Sequence, residues 1–365
     1  MLSRRHLLRS AVLGGAAAAL APATRATAQS PEWRELVAAA KKEGKVVVNT
    51  FPGDGYARAL KPFTQAFPEI KLEHTNLHSQ DFAPRILQER QANIFTWDLA
   101  LIPTSTALQV LRPAGVWDPV RPAIILPEAK DDAGWEGGFE RGFALVKDRA
   151  LTYGFVANRG GGLTFNTDMV KDDQVRRLTD LLDARWKGKV LVPDVRTMGD
   201  AFWPMTAARL TLGDDIIKKL FVDQEPVLSR DTRQIAEFMV RGRFPVALGV
   251  NPLILRQFQR QGLGKNLKLV HFAEMDTQNS TSSTLWLVNK APHPNAVRVL
   301  VNWLLTKEGQ VSWAKEAEVN SRRAGVEPGN PQFAVPKGAK LFQVDAEENL
   351  PEVVKTQEIA RAVIR

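Results

Sequence analysis

Arg196-Thr197-Met198-Gly199-Asp200 places a guanidinium, a hydroxyl and a glycine between a β-branched run at 189–192 and a helix-like run from Ala201. A guanidinium fork grips a carboxylate or phosphonate through two parallel hydrogen bonds. Arg196, Thr197 and Gly199 are therefore candidate anion contacts, the competing use of Arg196 being an ordinary surface charge. Thr104 and Ser105, in Pro103-Thr104-Ser105-Thr106, precede a short helix-like run at 107–111. A helix N-terminus offers unpaired N–H groups and a positive dipole end to an anion, although Ser and Thr serve equally as plain caps there. Thr50, Phe51, Gly53 and Asp54 close a β-branched run at 45–50, with glycines that let a ligand approach the backbone. Asn251 follows a strand-like run at 244–248 and stands before Pro252, where it can bond a ligand or shape a turn. Phe51, Phe165, Phe202 and Trp203 can form apolar walls around a solute or simply fill a core. These groups bind without covalent chemistry.

Signatures of catalysis do not accompany them. The chain has no G-x-S-x-G, H-E-x-x-H, G-x-x-x-x-G-K-[ST] or G-x-G-x-x-G pattern. The acidic pairs Asp131-Asp132, Asp172-Asp173 and Asp214-Asp215 are adjacent, and neighbours on a helix do not face each other. His74 and His78 are four apart but run from strand into loop, which breaks the helical alignment a metal pair needs. The sequence thus predicts no enzyme, no cofactor and no metal site.

Positioning such loops takes a regular scaffold. A helix over 31–42 is predicted from Trp33, Leu36, Val37 and Ala40 at helical spacing, with Gly44 ending it. A strand at 45–50, a helix at 57–66, a strand at 70–74, a helix at 81–93 and a strand at 97–102 follow. This alternation predicts an open, largely parallel sheet whose ligand sits beyond the carboxyl ends of the strands. A second series has strands at 151–158, 163–166, 189–192, 244–248 and 285–288. Its helices fall at 178–184, 201–212, 214–222, 233–241 and 295–307.

The first 28 residues have another purpose. Arg4, Arg5, Arg9 and Arg25 accompany no acidic residue, an Ala/Leu/Gly-rich run occupies 11–21, and Ala26-Thr27-Ala28 offers a small-x-small cleavage pattern. Basic, apolar, small is the order of a secretory signal, and Arg4-Arg5 is similar to a twin-arginine signal; an ordinary signal with two arginines is the other reading. The expectation is export and a mature chain from about Gln29. The chain has no cysteine, which excludes disulfides and a cysteine-linked lipid. Setting aside the four leader arginines lowers the formal charge of +9 by four, and basic residues are scattered without runs. No nucleic-acid partner is expected.

Six stretches together resemble the periplasmic solute-binding proteins of ABC importers, nearest the ferric-ion and small-anion binders. They are KVVVNTFPGD at 45–54, WDLA at 97–100, GLTFNTDMV at 162–170, WKGKVLVPD at 186–194, VRGRFPVALG at 240–249 and APHPNAVRVLVNWLLTKEGQ at 291–310. The resemblance implies an α/β, two-lobed type 2 fold, each lobe an open mostly parallel sheet flanked by helices. Residues 29–155 and 280–365 would form lobe one and 156–279 lobe two, with crossings near 152–158 and 273–283. It assigns Asn166 and Thr167 to the cleft, where helix capping is their alternative. It implies a monomer, periplasmic and exported, that closes on a small solute and docks permease and ATPase subunits. The family's ferric binders hold iron with a late pair of tyrosines, and this chain has only Tyr56 and Tyr153. A small organic anion is the favoured solute. Ferric ion, a ferric chelate, a polyamine- or thiamine-like amine bound by Asp54, Asp194 or Asp200, and a sensor role without transport are the alternatives.

Overall fold

Alternation along single strands decides how the chain layers. In β1 (Lys45–Asn49), Val46 and Val48 join one apolar cluster and Val47 another. Side chains of a strand point alternately to opposite faces, so a strand apolar on both is covered on both. β3 (Leu99–Leu101) divides in the same way, with Leu99 and Leu101 on one side and Ala100 on the other. In β8 (Val190–Pro193) and β10 (Val246–Leu248), Val190, Val192, Val246 and Leu248 face one cluster while Leu191 and Ala247 face a different one. Two separate sheets, each covered on both faces, result. The computed structural model describes residues 30–171, 174–196, 201–280 and 283–364. The expected leader, Thr197, Gly199 and Asp200 lie outside the described residues.

The first sheet runs β2 (Lys71–Thr75), β1, β3, β13 (Thr284–Val288), β4 (Trp117–Asp118), with β5 (Tyr153–Gly154) also paired to β13. β1 is parallel to β2 and β3, whereas β13 is antiparallel to β3, β4 and β5. The second sheet runs β11 (Leu267–Val270), β7 (Leu163–Asn166), β10, β8, β9 (Val227–Ser229). There β8 is parallel to β10 and β9, and β7 is antiparallel to β10 and β11. The open α/β sheets are as expected, but only half of each is parallel. Strands that enter a sheet from the other unit, such as β13, run against those already there.

A third, small sheet joins them: β14 (Phe342–Gln343), β12 (Thr277–Asn279) and β6 (Asn158–Gly160). In chain order β6 lies between the first and second sheets and β12 lies on the way back, and the two pair antiparallel. The single strand predicted at 151–158 is therefore β5 and the start of β6, in different sheets.

Local chemistry sets the helix ends. The Ser30 hydroxyl accepts from Trp33 N at 3.1 Å to start α1 (Pro31–Glu43), and Gly44 ends it at φ 68°. Further helices are α2 (Asp54–Ala66), α3 (Ser79–Gln91), α4 (Phe202–Leu212), α5 (Thr232–Val240) and α6 (Pro252–Arg260). The helix expected over 295–307 is α7 (Pro294–Leu304), after which Thr306 caps a new helix, α8 (Lys307–Ala317), by accepting from Gly309 N. The run at 178–184 shortens to a 3-10 turn at Leu178–Leu182.

The last helix, α9 (Leu350–Val363), corrects the expected division. Leu350 packs with the first unit, but Ala360 and Ile364 belong to the core of the second. The buried Arg209 of α4 fastens it there, donating to Thr356 Oγ1 at 2.9 Å and to the Glu352 carboxylate. Residues 280–365 thus do not all pack on the first unit.

Asp345 braces the small sheet from behind. It is fully buried, accepts from Ser280 N at 2.6 Å and from the Gln343 amide, and burial pushes its carboxyl up to about 6. The unfolded chain titrates this group near about 3.9, so the folded state holds the extra proton between about pH 4 and about pH 6. Stability then falls as pH rises through that window, by roughly 3 kcal/mol at most. Asp194, drawn down to about 2 chiefly by its hydrogen bond from Arg196, titrates below the window. Asp345→Asn is expected to flatten this slope in urea unfolding at stepped pH; equal slopes for both proteins would remove Asp345 as the cause.

Candidate functional site

A cavity of about 260 Å³ lies where the two main sheets and the small sheet meet. The first unit contributes Phe51 and Tyr56, the second Trp203 and the turn from Gly249 to Pro252, and the crossing strands Asn158 to Gly162, Thr277 and Asn279. Phe333 adds a further aromatic wall.

Backbone shape opens the space. Gly160 and Gly161 have no room for a side chain: a Cβ at Gly160 would sit 2.3 Å from Thr277 Oγ1, and one at Gly161 2.0 Å from the Met275 carbonyl oxygen. Gly161 also takes φ 80°, a region L side chains avoid. The crossing strands thus run side by side in near contact and present main chain to the cavity.

Three helices begin at this cavity. Tyr56 is in the first turn of α2, Trp203 and Pro204 are in the first turn of α4, and Val250 to Pro252 lead into α6. Gly53 and Ala201, at the cap positions of α2 and α4, carry no side-chain acceptor for the first N–H groups. Asn251 does cap α6, its Oδ1 accepting from Ile254 N at 3.2 Å. Three positive helix ends thus surround one space, with Asp54 in the first turn of α2 offsetting one of them.

Charged side chains at the wall are paired. Arg159 makes a two-pronged bond to Asp276, with Nε to Oδ1 at 2.9 Å. Glu318 accepts from Arg256 at 2.8 Å and from Arg260. The Thr277 hydroxyl is buried at the wall with no hydrogen-bond partner among the described residues.

Among the residues predicted from sequence, Phe51 and Asn251 line this cavity. Thr50 is buried beside it and turns its hydroxyl to His74 Nε2 at 2.8 Å and the Phe51 carbonyl. Gly53 and Asp54 stand at the start of α2, both exposed. Thr104 and Ser105 are buried away from the lining, and the Thr104 hydroxyl has no partner among the described residues. Asn166 and Thr167 fasten the end of β7 to Asn266: Asn266 Nδ2 donates to Asn166 Oδ1 at 3.0 Å, and the Thr167 hydroxyl donates to the Asn266 carbonyl at 3.0 Å. Asn166 Oδ1 also accepts from Asp168 N and closes a turn at 167–169, where no helix follows for it to cap.

Arg196 does use its fork in a two-pronged bond, but the carboxylate is its neighbour Asp194, at 2.9 Å for both contacts. Arg230 takes the same carboxylate from the other side at 2.9 Å. A partner two residues away needs little chain ordering and outcompetes a distant one. Of the four aromatics considered as walls, Phe51 and Trp203 reach the cavity, while Phe165 and Phe202 are core. Tyr56, Phe333, Thr277, Asn330 and Glu318 were not foreseen as lining. Only the glycine run at 160–162 left a local mark, as a turn.

A family model described as bacterial extracellular solute-binding protein matches residues 58–330. A search of curated proteins finds no match. Among solved structures, iron-bound HitA from Pseudomonas aeruginosa is similar, at 19% identity and TM-score 0.63, over 87% of this chain and 99% of that one. The Trichodesmium protein IdiA (FutA), in complex with iron and citrate, has 15% identity and TM-score 0.66, over 88% and 99%. The substrate-binding protein of an ABC transporter from Agrobacterium tumefaciens has 16% identity and TM-score 0.63, over 88% and 94%. These likenesses bear on the fold.

Proposed function

The chain belongs to the bacterial extracellular solute-binding protein family, and from this premise we propose that it captures a small organic anion for an ABC importer. The solute is held in the cavity between the two units, which close over it by bending at β6 and β12, and the closed form docks a membrane permease. The convergence of the first turns of α2, α4 and α6 on one cavity carries this reading. Their dipoles and N–H groups suit a carboxylate or phosphonate. The Trp203, Phe51 and Phe333 rings suit an apolar or planar body attached to it.

The alternatives have less support. Tyr153 is packed in the first unit against Phe139, Phe143 and Trp135, where burial pushes its phenol up. It is not available beside Tyr56 as the second phenolate of an iron site. Asp194 is already neutralised by Arg196 and Arg230, which weakens an amine site there. The export reading rests on the leader, and no helix among the described residues is long and apolar enough to cross a membrane.

A thermal-shift screen of the mature protein against phosphonates, carboxylates, amines, ferric ion and ferric citrate tests the solute class. A ligand at about 100 times its Kd stabilises by about 2.7 kcal/mol. A response to anions alone is the expected outcome; a response to amines or free ferric ion alone refutes the reading. For the solute that responds, Trp203→Ala is expected to weaken binding by ~2 kcal/mol, about thirtyfold, the loss typical of a central aromatic anchor. Calorimetric titration gives the number, and an unchanged Kd takes Trp203 out of the site.

A further inference from the structure

One ion-pair network spans the cavity from one unit to the other. Glu318 follows α8 and precedes Val319, which lies in the first unit's core. Arg256 and Arg260 are on α6, beside Leu255 and Phe258, which pack on the second unit. Arg256 Nη1 donates to Glu318 Oε2 at 2.8 Å, Arg260 donates to the other carboxylate oxygen, and Arg256 Nη2 donates to Asn330 Oδ1 at 2.8 Å.

The first-unit half of this network is built in advance. Asn330 N donates to Asn320 Oδ1 and Asn320 Nδ2 donates to the Asn330 carbonyl, both at 2.9 Å, locking the two segments together. The adjoining Gly329 lies so close that a Cβ would stand 1.8 Å from the Ala314 carbonyl oxygen. Glu318 itself adopts φ 56° and ψ 42°, the left-handed end of a helix where glycine is the ordinary residue. Glutamate there costs conformational energy that glycine would not. The side chain that bears this cost points its carboxylate at two arginines of the opposite unit.

We propose that Glu318 is the positioning residue of closure: its carboxylate, clamped by Arg256 and Arg260, holds the two units together over the cavity. This rests on the capture-by-closure reading above. The carboxylate also forms part of the cavity wall, so closing the clamp and completing the site are one event. The occupant is enclosed by a latch that does not depend on the occupant's own charge.

The chain has no cysteine, so Ala57→Cys on α2 and Gln257→Cys on α6 introduce the only two thiols for spin labels. Distances between the labels are measured by pulsed electron resonance with no solute added. Glu318→Gln is expected to shift the distribution to longer distances and lower the closed-to-open ratio by about fivefold or more. Salt raised from ~0.01 to ~1 M, which shortens the screening length from ~30 to ~3 Å, should open the parent protein and leave Glu318→Gln unmoved. Glu318→Gly is expected to open the protein while raising its melting temperature, a split that a merely structural role would not give. Equal distance distributions for the parent and Glu318→Gln overturn the proposal. Because no solute is present, a wrong solute class and a failed latch read out separately.

Discussion

Gly161→Ala is expected to cost about 2–5 kcal/mol of folding stability and to weaken solute capture with it. Two effects add. An L side chain at φ 80° costs about 1–2 kcal/mol. The new Cβ would stand 2.0 Å from the Met275 carbonyl oxygen, and because that obstacle is backbone, the two crossing strands must part. Overpacking of this kind costs about 1–3 kcal/mol more. Gly188 supplies the control: its φ is 72°, and nothing lies within 4 Å of its missing Cβ. Gly188→Ala should show the conformational cost alone. Urea unfolding of the two variants gives the comparison, and equal losses would mean that the close approach of the strands is unimportant.

Asp98→Ala is expected to destabilise by about 3–5 kcal/mol. The Asp98 carboxylate is completely buried and ties β1 to the start of α7: it accepts from Val47 N at 2.7 Å, and from His293 N at 2.8 Å and His293 Nδ1 at 2.9 Å. Its own backbone carbonyl accepts from Val288 N of β13. Alanine leaves two main-chain N–H groups and an imidazole without their acceptor, each at about 1–3 kcal/mol, as when one partner of a buried pair is removed. For a unit of this size the melting temperature should fall by roughly 10 °C. Asp98→Asn, which keeps the shape and one acceptor oxygen, should lose less. A loss under about 1 kcal/mol for alanine would show that water or a shifted loop satisfies these groups.

The layered α/β plan was legible because its signals are local. Val46-Val47-Val48 after Gly44, and Val190-Leu191-Val192, are short apolar runs that only a covered strand explains. The crossing sheet was not legible as such. Asn158-Arg159-Gly160 and Thr277-Gln278-Asn279 lack any apolar alternation, and they are strands because they pair with each other across more than a hundred residues and, for the second, with β14. The cavity shows the same limit. Phe51 could be named from its place beside a strand end and Trp203 from the start of a helix, but Phe333, Thr277 and Glu318 are gathered by the tertiary fold, which no spacing in the chain encodes. Arg196 is the reverse case. The guanidinium fork expected to face a solute is taken up instead by the carboxylate of Asp194, two residues away.

The helix at 350–363 sets how many ways the molecule can move. With β6 and β12 alone, two strands would join the units, and a two-strand joint can bend, twist and shear. α9 adds a third tether, seated by Leu350 in one unit and by Ala360 and Ile364 in the other, and bolted by Arg209. A third connection restrains twist and slide more than two strands alone. In the closure proposed above, such a joint favours a single swing, which would bring Glu318 back to the same two arginines each time.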